Sequence, residues 1–200
     1  MESLRKYLGY IVYGFFLFAC VFGVIGKFTD AEQAFKNLGG FDELLRFLAT
    51  WLTELIVWIV AFIMAIVAMT KLSKMTPEQQ DGKAVTFVML GSLAEFIGLA
   101  LLLILAAKTN QMDLLFPGKT WAIFVLSALV LVGAIVRKVS LAKNVLASKI
   151  CGAVLALIMM VVAILLMTDY KEMGQVTWVM FIIAYALLCA YPLLSSPLKK

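Results

Sequence analysis

Apolar residues in this chain come in long blocks separated by short polar stretches. Six blocks stand out, at about 8–26, 47–69, 84–107, 121–136, 150–167 and 176–191. A helix of about 20 mostly apolar residues, rising about 1.5 Å per residue, crosses the hydrocarbon core of a bilayer. Backbone polar groups in lipid must be satisfied within the segment itself, so the blocks read as helices. The expected fold is all-α: a polytopic membrane helix bundle with six transmembrane helices. The whole chain, 1–200, reads as one integral membrane domain.

The connections carry their own signals. Thr29-Asp30-Ala31-Glu32 has the form of a capping box. It predicts a short amphipathic helix over 29–38, with Ala31, Ala34, Phe35 and Leu38 on one side and Gly39-Gly40 as its stop. Such a piece would lie on the membrane surface or cover the bundle mouth. Thr76-Pro77-Glu78-Gln79 is a second helix start, with cap, proline and Gln in order. Asp81-Gly82 is expected to interrupt it before the third block. In the first block, Leu17-Phe18-Ala19-Cys20 resembles a lipoprotein cleavage box. Phe18 is bulky for that site and the apolar run continues through Ile25, so a retained span is expected.

Composition agrees with this pattern. The chain is 64% hydrophobic, only 14% charged, and has a mean hydropathy of +1.04. A soluble domain is nearer half apolar. The net charge of +5 does not mark a nucleic-acid surface, because the basic residues lie between the apolar blocks. Histidine is absent, which removes His-ligated haem, most zinc sites and His acid–base catalysis. Cys20, Cys151 and Cys189 all fall inside apolar blocks and form no C-x-x-C pair. No cofactor and no metal are expected. The Met-rich fifth block, with Met159, Met160 and Met167, reads as packing filler.

Charge sets an orientation. With six spans and the N-terminus inside, 11 of the 17 Lys and Arg lie on the inner side. Lys27, Lys36, Arg46, Lys108, Lys119 and Lys171 fall outside. The acids of the connections lean outward. Both termini are therefore expected in the cytoplasm. The plasma membrane, most simply a bacterial inner membrane, is the expected location.

Two charges break the apolar blocks, Glu54 and Glu95. A charge at the bilayer centre costs roughly 2.5–3.5 kcal/mol on insertion scales, so such a group normally turns inward and marks function. Walking at 100° per residue from Glu54 puts Trp58, Ala61, Ala65 and Ala68 on its side. Ala84, Val88, Gly91, Glu95 and Gly98 share a side of the third block. Ala19 and Gly23 make a small-xxx-small pair in the first. Small residues let helices approach closely in lipid, so these are candidate packing faces. Counted from the starts of their blocks, Glu54 lies nearer the outer surface and Glu95 near the midplane, which separates the two acids. No Lys or Arg lies at comparable depth, so neither acid has an evident ion-pair partner. A carboxyl group so placed could carry a proton or bind a cation. The competing reading is a structural carboxyl hydrogen-bonded to a neighbouring helix.

No phosphate-binding loop, nucleophile elbow or H-E-x-x-H motif is present, and no aspartate lies within a block. An enzyme is not expected. Internal duplication is not evident; the later blocks carry no acid matching Glu54 or Glu95. Two function classes follow. One is a small-solute or ion permease, or the membrane-embedded substrate-binding subunit of a transporter, with Glu95 central and Glu54 as an outer contact. In size and topology such a chain resembles the substrate-binding components of energy-coupling-factor transporters, although no motif carries that likeness. The other is a non-transporting scaffold or accessory subunit with structural glutamates. Expected partners are the lipid bilayer and a membrane protein or a second copy.

Overall fold

The computed structural model describes residues 2–29, 35–36, 39–139, 145–168 and 173–190. They form helices α1 (Glu2–Thr29), α2 (Phe41–Phe47), α3 (Thr53–Lys71), α4 (Pro77–Thr109), α5 (Met112–Leu115), α6 (Gly118–Val139), α7 (Val145–Met167) and α8 (Met173–Ala190). A π-helical turn, Leu48–Leu52, joins α2 to α3. A 3₁₀ turn, Leu72–Lys74, ends α3. No strand occurs among the described residues.

Among the described residues, five stretches are long and apolar enough to cross a membrane: Tyr7–Thr29, Phe41–Lys74, Gln79–Thr109, Gly118–Val139 and Leu146–Met167. The chain is thus a multi-pass membrane helix bundle. The last apolar helix is shorter, Gln175–Ala190. The helices run past the sequence blocks because hydropathy fades before the backbone hydrogen bonds do.

The main helices pack in a ring: α1 on α3, α3 on α4, α4 on α6, α6 on α7, α7 on α8, and α8 back on α1. α4 also touches α7 across the middle. Small residues bring the helices together. Ala19, Ala65, Ala68, Ala163 and Ala184 are completely buried. The aromatic rings of Phe16, Phe87, Phe181 and Tyr185 meet where α1, α4 and α8 converge. Large aliphatic residues such as Ile63, Leu129 and Ile135 face outward, as lipid-facing positions should.

One of the sequence expectations needs correction here. Asp81-Gly82 does not interrupt α4, which runs unbroken from Pro77 to Thr109. Thr76 and Gln79 close a full capping box, and Gln80 donates to the carbonyls of Leu72 and Met75. The start is pinned firmly enough to carry a helical glycine, which costs only about 1 kcal/mol. Thr29 is the last residue of α1, and its hydroxyl donates to the Gly26 carbonyl. Most of the amphipathic segment 29–38 lies outside the described residues. Within it, Phe35 packs on Phe47 and Trp51.

Candidate functional site

The site is built where α1 ends, the π turn leads into α3, and α4 passes its midpoint. Glu54 stands in the first turn of α3. Its face, with Trp58, Ala61, Ala65 and Ala68, turns into the bundle, where all four neighbours are buried. On α4, Ala84, Val88, Glu95 and Gly98 are buried and Gly91 is partly so.

Glu54 has a cation. Lys27 Nζ lies 2.8 Å from its carboxylate, with both side chains only 12% exposed. The same ammonium donates to the Thr50 carbonyl at 2.6 Å and sits 5.6 Å from the Trp58 ring centroid. The expectation of no partner at this depth is therefore wrong for Glu54. The apolar run stops at Gly26, but α1 continues to Thr29. Lys27 occupies its last turn, where the carbonyl end of the helix favours a cation. Its long stem then carries the charge across to α3.

The π turn supplies the rest of this corner. Trp51 Nε1 donates to the Lys27 carbonyl at 3.0 Å, and the Thr53 hydroxyl donates to the Leu48 carbonyl. The Thr50 carbonyl that accepts from Lys27 belongs to this turn. Turns of this kind recur at functional sites. The Ala49 carbonyl faces Gly98, where a Cβ would stand only 2.8 Å from it. Gly98 is thus required for α4 to lie against the turn. Gly23 serves similarly, since any side chain there would strike the Trp58 ring. Gly91 lies against the Tyr185 hydroxyl and Met159. Ala19, Ala61 and Ala65 lie in the core between helices.

Glu95 differs. It is 8% exposed and makes no hydrogen bond to a described residue. It lines a cavity of about 30 Å³, walled by Phe16, Trp58, Phe87, Trp178, Phe181 and Tyr185 among others. That is room for one or two waters. Glu54 and Lys27 both act on Glu95 electrostatically. The offset in depth between the two acids is corrected by this. The first arm begins at Phe41, not 47, so Glu54 lies roughly 20 Å from its outer end at about 1.5 Å per residue. Glu95 lies about as far from Thr109, the outer end of α4. On antiparallel neighbours, that sets the acids at one level.

Comparison of the chain with protein-family models, curated proteins and solved structures finds no match. The geometry alone therefore carries the reading.

Lys27 and Glu54 offset one another, so Glu95 determines the net charge of the cluster. When neutral it leaves the cluster uncharged; when ionised it leaves one negative charge. Such a centre can take up one proton or one monovalent cation. A bare alkali ion is poorly served, because the cavity walls are mainly aromatic and aliphatic and offer few oxygens. Among the described residues, no group of three or more His, Cys, Asp or Glu could hold a metal. Lys27 is the site residue that the sequence did not reveal. The one signal for it is a basic residue within a helical turn of the end of an apolar block.

Proposed function

We propose that this protein is an ion permease, or the membrane-embedded binding subunit of a transporter, in which Glu95 accepts and releases a proton. The observation that carries this reading is a buried carboxyl group with no hydrogen-bonding partner among the described residues, set on a water-sized cavity. The size of that cavity favours a proton over a bulky solute. Glu54 acts from the side, holding Lys27 near Glu95. Six spans complete the architecture: α8 packs along α1 and α7 and serves as the sixth. An even number of crossings puts both termini on one side, and the basic residues make that side the cytoplasm. The plasma membrane, most simply a bacterial inner one, suits this arrangement. On this reading the chain is not an enzyme and uses no cofactor.

The test is proton flux into proteoliposomes under an imposed potential, for the wild type and Glu95→Gln. Flux in the wild type, and its loss in a correctly folded variant, is the expected result. Equal flux in both, or none above protein-free liposomes, would contradict it. The second reading, a scaffold for a partner membrane protein or a second copy, draws on the Lys27–Glu54 pair being satisfied within the chain. It expects Glu95→Gln to alter assembly alone.

A further inference from the structure

The opposite end of the bundle carries a different feature. Where α3 ends and α4 begins, a groove of about 540 Å³ is lined by Thr70, Lys71, Lys74, Gly82, Lys83 and Thr86, among others. Its volume is that of an ordinary ligand site. Three lysines converge on it, and no acid is among its lining residues with described side chains. No ion pair or hydrogen bond ties any of these lysine side chains to a described residue. The nearby Asp81 is buried and acts on Arg137 of α6 instead. Several basic residues elsewhere are engaged: Lys27 with Glu54, Lys108 with Asp42, Arg137 with the Ser148 carbonyl.

The groove also has an apolar continuation. On α3 the exposed Ile63 and Val67 lead at helical spacing into Lys71 and Lys74. On α4, Lys83 and Thr86 continue into Leu90 and then the exposed Leu93 and Ile97. A cationic pocket thus opens onto two outward-facing hydrophobic stripes. A ligand that matches both parts has an anionic head and an acyl tail.

We infer that this groove binds the phosphate headgroup of an anionic glycerophospholipid, with its acyl chain along the α3–α4 stripe. Basic pockets between membrane helices are suited to such headgroups. The inference rests on the membrane-crossing architecture and is independent of proton transport. Free phosphate shares the head chemistry but has nothing to fill the apolar stripe.

The test uses the full chain in detergent, titrated with phosphatidylglycerol or phosphatidylcholine and read by native mass spectrometry. Each lysine near a charged headgroup is worth roughly fivefold in affinity. Wild type should prefer phosphatidylglycerol, and the triple variant K71Q/K74Q/K83Q should lose at least about tenfold of that preference. Lys138→Gln, an exposed lysine at the same end, should lose little. An unchanged preference in the triple variant would overturn the inference. So would full displacement of the lipid by millimolar-range (about 1–10 mM) inorganic phosphate, which would mark a soluble-anion site. Should the triple variant fail to fold, a photoactivatable phosphatidylglycerol on the wild type decides the matter. Adducts on 63–74 and 83–97 support the site; adducts confined to other helices overturn it.

Discussion

Glu54 and Glu95 occupy one level of the bundle on adjacent antiparallel helices, yet their surroundings are opposite. Glu54 meets an ammonium at 2.8 Å that is itself held by a π-turn carbonyl and faces an indole ring. Glu95 meets aromatic walls and a small cavity. Depth and sequence context do not separate them; both are single acids in apolar helices with small residues one or two turns away. What separates them is where the end of a third helix delivers its lysine. An acid within a membrane helix is thus a question about its neighbours before it is a statement about function.

The contrast can be broken at its strongest point first. Lys27→Met would leave Glu54 buried without its cation, and breaking a buried pair from one side costs about 3–5 kcal/mol. Thermal unfolding in detergent should show a large loss, and K27M/E54Q should recover most of it. A single Lys27→Met variant as stable as wild type would mean that Glu54 is satisfied otherwise. Next comes the fit of α4 against the π turn. Gly98→Val places a side chain against the Ala49 carbonyl, and overpacking of this kind costs roughly 1–3 kcal/mol. The same assay checks it, and a neutral outcome would show that the turn yields. Glu95→Gln should be mild, within about 1 kcal/mol, because a neutral isostere leaves no charge unpaired. A loss as large as that of Lys27→Met would give Glu95 the structural role assigned to Glu54. Smallest is Asp42→Asn. The Asp42–Lys108 pair is nearly half exposed, and exposed pairs are worth roughly 0.2–1 kcal/mol.

The apolar blocks and their inward faces were legible because lipid imposes one rule on every span. The backbone must be helical, so period and small-residue spacing read directly as geometry. Trp58, Ala61, Ala65 and Ala68 follow from Glu54 by arithmetic alone. The site was legible only in part. Lys27 lay beyond the last apolar residue of its block, and a hydropathy reading ends there although α1 continues for three residues. The π turn at Leu48–Leu52 has no residue signature, yet its Thr50 carbonyl accepts from Lys27 of α1 and its Ala49 carbonyl lies against Gly98 of α4. Helix α2, which extends that arm outward, carries Asp42, Glu43 and Arg46, so its residues fall before the apolar block that begins at 47. Counting from 47 instead of Phe41 displaced Glu54 by a helical turn and more, which was enough to separate two acids that belong together.

The most direct test of the division between the glutamates is proton flux in proteoliposomes for wild type, Glu95→Gln and K27M/E54Q, side by side at equal reconstitution. Flux should vanish in Glu95→Gln and persist, at an altered rate, in the double variant. Flux that survives loss of the Glu95 carboxyl, or that disappears only with the Lys27–Glu54 pair, would contradict the account.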